Sequence, residues 1–148
     1  MHFTVLYIME DVKLEDLIKE YGGKKGVVNK IYDDFGTLYC DGCGEFEPEN
    51  CYVCDWFQIG GRWFDILPAK NGISGDASFI LKDTKETQNF CSICNIEDLD
   101  KNFEFENKIY GIADNCDYFE NEDYMKQIFD KIRKNEIKGV IALLDCHS

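Results

Sequence analysis

Three copies of the motif Cys-x-x-Cys constrain this chain more than any other feature of its sequence. Two thiolates separated by two residues form half of a typical tetrahedral zinc site, in which each sulfur lies about 2.3 Å from the metal. The spacing therefore predicts a bound zinc ion that ties separate turns of the chain together. The three pairs are Cys40/Cys43, Cys51/Cys54 and Cys91/Cys94.

The first pair is the best half-site, because Gly44 directly after it lets backbone N–H groups turn towards the sulfurs. Its expected partner is the second pair, and the third pair is the alternative partner. Four cysteine ligands leave no coordination position for water, so the zinc would be structural and not catalytic. The competing interpretations are buried thiols without metal and a redox dithiol. The predicted ligands are Cys40, Cys43, Cys51 and Cys54.

The length and composition predict one α+β domain over residues 1–148, with a Cys-rich insertion at 38–54. The N-terminus lacks the basic leader and long apolar core of a secretory signal, and no apolar run reaches the roughly 20 residues that span a bilayer. We therefore expect a cytoplasmic protein without a membrane segment, whose cysteines stay reduced.

The chain carries a net charge of -13. This charge repels phosphate backbones and disfavours direct binding to nucleic acids, while it favours basic partners. A sharper interpretation is that the acidic surface imitates nucleic acid and so captures a basic protein.

Hydrophobic patterns outline the first part of the chain. Residues 2–9 alternate as a strand, and Asp11 is placed to cap a helix that ends at Gly22 and Gly23. A further strand is predicted at 27–32. Two aromatic-rich runs, 55–59 and 62–66, flank a Gly-Gly pair and predict a tight β-hairpin.

The last third predicts a helix that starts near Glu120 and ends near Lys134, followed by a strand at 140–144 that is buried on both faces. Weaker strand candidates lie at 78–81 and 108–113. Together these elements predict a ferredoxin-like fold: a mainly antiparallel sheet with helices on one face and a zinc-binding Cys-rich loop. The first and last strands would be neighbours.

That arrangement would bring both histidines together. Asp145 and His147 share one face of the last strand, and His2 begins the first strand. With Arg62 they are the candidate catalytic residues for acid–base and anion-binding chemistry. The candidate ligand-binding residues of the hairpin are Trp56, Gly60, Gly61, Arg62 and Trp63.

Three segments resemble a family of small uncharacterised proteins of tailed phages and prophages. Its members open with a His-Phe-Thr-Val-like strand, carry a Trp-Asp-Trp-Tyr-x-x-Gly-Gly-Arg-Trp hairpin and end in Asp-Cys-His. Cys54 replaces the tryptophan usual in the family, and the Cys-x-x-Cys pairs are not part of its pattern. The resemblance implies a phage or mobile-element origin and a host-cell setting. The matching segments are 2–5, 55–63 and 144–147.

We therefore expect a zinc-stabilised binding protein of the host cytoplasm, an inhibitor or ligand sponge acting on a host defence system. Its partner would be a host protein or a small nucleotide ligand. The alternatives are a small nucleotide- or phosphoester-directed hydrolase that uses His2, Arg62, Asp145 and His147, and an acidic nucleic-acid mimic.

Overall fold

A six-stranded mixed sheet forms the centre of the structure, a computed structural model that describes residues 1–40, 53–76 and 89–148. The strands are β1 (His2–Glu10), β2 (Trp56–Ile59), β3 (Ile93–Asn95), β4 (Gly111–Ala113), β5 (Tyr118–Phe119) and β6 (Gly139–His147). The helices are α1 (Leu14–Glu20), α2 (Lys24–Tyr39) and α3 (Glu122–Arg133).

The strand order is β2-β6-β1-β4-β5, and β3 also pairs with β6. β1 and β6 are antiparallel along their whole length, from His2↔His147 to Glu10↔Gly139. The β1–β4 pair is parallel, and the remaining pairs are antiparallel. The sheet is therefore mainly antiparallel, and the prediction that the first and last strands are neighbours is confirmed.

The two faces of the sheet carry separate hydrophobic cores. Val5 and Tyr7 of β1 pack towards α1 and α2, whereas Leu6 and Ile8 pack towards α3. Because β1 is apolar at consecutive positions, both of its faces need cover. The predicted placement of all helices on one face is wrong, and the ferredoxin-like arrangement is not confirmed.

The N-terminal helices differ from the sequence prediction in two ways. Lys13, not Asp11, precedes α1, and Asp11 takes a positive φ of 59° that is incompatible with a cap. The chain leaves α1 through Gly22 and Gly23, as predicted. The strand predicted at 27–32 is wrong, because these residues lie in the middle of α2.

The predicted β-hairpin is also wrong. β2 pairs with β6, and the chain after Gly60 turns into a short 3-10 helix at Gly61–Trp63. The second aromatic run therefore does not return alongside β2. β2 pairs with β6, which lies far away in sequence. This pairing replaces the predicted pairing between the runs 55–59 and 62–66.

The C-terminal third agrees with the sequence. α3 begins after Asn121, whose Oδ1 accepts a 3.0 Å hydrogen bond from the backbone N–H of Tyr124. β6 is buried from Gly139 to Cys146. Of the weaker candidates, 108–113 contains β4, and 78–81 lies outside the described residues. The predicted Cys-rich insertion starts within the last turn of α2, and residues 41–52 lie outside the described part of the chain.

Candidate functional site

The candidate site lies where β1 begins and β6 ends. Successive side chains of a strand point to opposite faces of the sheet. Leu6 of β1 and Leu143 of β6 pack on the α3 side. Residues an even number of positions away on the same strands share that side, and these include His2, Asp145 and His147. All three polar side chains therefore lie on that face, at the end of the sheet. The side chains of His2 and His147 are 17% and 33% exposed, so solvent reaches the cluster.

A buried carboxylate holds the histidine of β1. His2 Nδ1 lies 2.8 Å from Asp145 Oδ1, and the Asp145 side chain is completely buried. The other oxygen, Oδ2, accepts a 2.8 Å hydrogen bond from the backbone N–H of Arg62. Because a carboxylate accepts, the hydrogen-bonding pattern assigns a proton to Nδ1 of His2, and in the neutral imidazole Nε2 then carries the lone pair. Such a pair fixes both the tautomer and the orientation of the imidazole.

The second histidine stacks on a tryptophan. The rings of His147 and Trp56 lie 5.0 Å apart and within 12° of parallel. His2 meets both rings edge-on, at 5.0 Å from His147 and 5.5 Å from Trp56. Within the described residues, the buried Nδ1 of His147 has no hydrogen-bond partner, and Oδ2 of Asp55 lies 4.0 Å away, beyond hydrogen-bond range.

The two glycines after β2 let the backbone approach Asp145. Gly60 and Gly61 have φ values of 83° and 55°, a region that glycine enters without steric penalty. A Cβ at Gly61 would collide with the Asp145 side chain. Gly61 therefore allows the close approach that brings the next N–H, that of Arg62, to the carboxylate.

The remaining residues predicted for this site contribute differently. The Arg62 side chain is exposed, and no ion pair or hydrogen bond to its guanidinium occurs within 1–40, 53–76 and 89–148. Trp63 is half-buried and packs against the core on the α3 face. Trp56, by contrast, is 39% exposed beside both histidines. The structure thus brings Trp56, but not Trp63, into the aromatic cluster.

The cysteines divide between the two faces. Cys40, at the end of α2, and Cys54, just before β2, are joined by a parallel β-bridge, and both are buried in the core under α1 and α2. Cys43 and Cys51, their predicted partners, lie outside the described residues. Among the residues that are described, no group of three or more His, Cys, Asp or Glu side chains could hold a metal ion.

The third cysteine pair lies in the other core. Cys91 and Cys94 are buried on the α3 face. The structure therefore does not bring them to Cys40 and Cys54. A hydrogen bond with Cys91 and burial both raise the pKa of the Cys94 thiol.

One buried network next to the site has no counterpart in the sequence analysis. Asp65 adopts a positive φ of 46°, and its Oδ1 accepts hydrogen bonds from Ser92 Oγ at 2.9 Å and from the backbone N–H of Gly75 at 3.0 Å. Burial raises the pKa of the Asp65 carboxyl. This network secures the turn that follows Arg62. The sequence gives no indication of it, because the partners come from three separate segments.

Comparisons of the chain with protein-family models, with curated proteins and with solved structures found no match. Within the described ranges, none of the helices combines the length and apolar character needed to cross a bilayer.

Proposed function

We propose that this protein is a small hydrolase that acts on a nucleotide- or phosphoester-type substrate at the cluster of His2, Asp145 and His147. The observation that supports the proposal is the 2.8 Å contact between His2 Nδ1 and the fully buried Asp145 carboxylate. A histidine oriented in this way by a buried carboxylate is the usual arrangement of a general base.

Each residue has a defined role in the proposed reaction. Nε2 of His2 accepts a proton from water, and the water oxygen forms a bond to phosphorus. The bond from phosphorus to the leaving oxygen breaks, and His147 donates a proton to that oxygen. Asp145 stays hydrogen-bonded to His2 and stabilises the imidazolium that forms.

The substrate class is argued from the groups around the histidines. The indole of Trp56 is partly exposed, and planar bases stack on such rings. The exposed guanidinium of Arg62 is free of ion pairs within the described residues and can bind a phosphate oxygen in a bidentate manner. In a chain with a net charge of -13, a local cation is needed to hold an anionic substrate.

The test is hydrolysis of bis(4-nitrophenyl) phosphate and of a panel of nucleotides by the metal-free and the untreated protein. His2→Asn keeps an N–H near Asp145 but removes the base, so kcat should fall by about 10²–10⁴-fold. Arg62→Ala should mainly raise KM, and Lys70→Ala, an exposed control, should leave both constants unchanged. Absence of any hydrolysis, or full activity in His2→Asn, would refute the proposal.

A second candidate function is a zinc-stabilised binding protein directed at a host protein or a nucleotide. It is favoured by the β-bridge between Cys40 and Cys54, which places two of the four predicted ligand residues side by side. Four-cysteine zinc sites in small domains contribute about 10–16 kcal/mol at neutral pH. Loss of such a site would therefore destabilise the surrounding segment strongly.

Native mass spectrometry of the untagged protein tests this second candidate. We expect one zinc per chain in the wild type, none in Cys40→Ala, and one in Cys116→Ala, because Cys116 is exposed and is not one of the four predicted ligands. A wild-type protein without zinc would contradict the zinc site, and so would one zinc per chain in Cys40→Ala. Neither result affects the hydrolase proposal, whose residues lie on the other face of the sheet.

A further inference from the structure

A groove on the surface of α3 is separate from the histidine cluster. It has a volume of about 480 Å³ and lies between α3 and the segment 104–109. Its floor is apolar and consists of Ile109, Met125 and Phe129, which belong to the core on the α3 face. Phe129 is fixed there by an edge-to-face contact with Phe105 at 6.2 Å. The floor is therefore preformed.

The rim of the groove is acidic. Glu104, Glu122 and Asp130 line it, and all three side chains are exposed. Their carboxylates take part in no ion pair or side-chain hydrogen bond with any other described residue. They are thus available to an external cation.

The two cationic residues that line the groove, Lys126 and Arg133, do not neutralise the negative charge of the rim. Arg133 pairs with Glu106 and donates hydrogen bonds to the backbone carbonyls of Lys101 and Phe103, at 2.9 and 3.2 Å. Of the described residues that line the groove, Lys126 is the remaining cation. The rim therefore keeps a negative potential above an apolar floor.

We infer that this groove binds a basic, amphipathic segment of a partner protein, with an apolar side chain on the floor and lysines or arginines at the rim. Charge complementarity selects this occupant. A second copy of the chain would bring another net charge of -13 against the rim, and nucleic acid would add phosphates to it.

The test uses a fluorescent 18-residue helical peptide of leucine and lysine, and a matched peptide of leucine and glutamate. We expect the first peptide to bind the full chain and the second not to bind. The double variant Glu122→Lys/Asp130→Lys should weaken binding at least tenfold. The control Glu20→Lys/Asp33→Lys changes two exposed acidic residues on the opposite side of the sheet and adds the same charge, so it should bind nearly as tightly as the wild type.

Two further measurements locate the site and exclude other occupants. Backbone amide shifts caused by the peptide should cluster in α3 and 104–109, and circular dichroism should confirm that both double variants are folded. Equal weakening in the two double variants, or shifts spread over the surface, would overturn the inference, because net charge alone would then explain binding. Displacement of the peptide by micromolar benzylamine would assign the groove to a small amine and would also overturn it.

Discussion

At the scale of single residues, the site depends on a glycine that cannot carry a side chain. Gly61 combines a positive φ with a backbone so close to Asp145 that any Cβ would overlap the carboxylate. The N–H of Arg62 reaches Asp145 only because of this approach. A substitution at Gly61 therefore tests the geometry of the site without removing any of its functional groups.

We predict that Gly61→Ala destabilises the protein by more than the ordinary penalty for alanine at positive φ, which is about 1–2 kcal/mol. Gly22→Ala is the matched control, because Gly22 has a φ of 76° but no heavy atom within 4 Å of the position that a Cβ would occupy. Urea unfolding measures both free energies. Equal losses in the two variants would show that the close approach to Asp145 has no energetic consequence.

A second prediction concerns the pH dependence of Asp65. Burial raises the pKa of its carboxyl in the folded state, so folding favours the protonated form. The stabilising contribution is present below the unfolded pKa of about 3.9 and is lost as the pH rises through the raised folded value. The unfolding free energy of the wild type minus that of Asp65→Asn should therefore fall as the pH rises. Asp33→Asn, which removes a carboxylate at an exposed site, is the matched control.

At the scale of elements, periodic segments were predictable and segments that depend on distant partners were not. β1, α3 and β6 follow from their own apolar patterns, and the pairing of the two terminal strands brings His2, Asp145 and His147 together. The residues at 27–32 contain β-branched side chains that favour a strand, yet they are helical. The burial of Val27, Ile31 and Phe35 against the sheet, at a spacing of four residues, outweighs local propensity.

The Gly-Gly segment shows why part of the site could not be predicted. Its glycines, with aromatic runs on both sides, satisfy the local rules of a hairpin. In the structure, β2 pairs with β6 and Asp65 bonds to Ser92 and Gly75. These contacts join segments that are distant in sequence, so no local pattern encodes them. The stacking of Trp56 on His147 follows from the same long-range pairing.

An element-scale prediction concerns the start of α3. Asn121→Ala removes the side-chain hydrogen bond to the N–H of Tyr124 and should lower the unfolding free energy by about 0.5–2 kcal/mol. Lys13 occupies the corresponding position before α1 but makes no such bond. Lys13→Ala should therefore stay within about 0.5 kcal/mol of the wild type. Chemical denaturation of both variants is the measurement, and equal effects would argue against a capping role for Asn121.

At the scale of the whole molecule, one sheet serves two cores. Ile31 of α2 is buried on one face and Ile132 of α3 on the other. The side chains of β1 and β6 alternate between the two cores. Loss of packing on one face therefore destabilises the same two strands against which the other core packs. The two cores should therefore unfold as one cooperative unit.

The last prediction tests this coupling with Ile31→Ala and Ile132→Ala, each expected to lower the unfolding free energy by about 2–5 kcal/mol. Far-UV circular dichroism reports all helices, and tryptophan fluorescence reports Trp56 and Trp63, both of which lie on the α3 side of the sheet. Although Ile31 lies on the opposite face, its substitution should shift both transitions to the same lower denaturant concentration. A fluorescence midpoint that stays at the wild-type value while the dichroism midpoint falls would mean that the cores unfold independently, which would divide the predicted single domain into two.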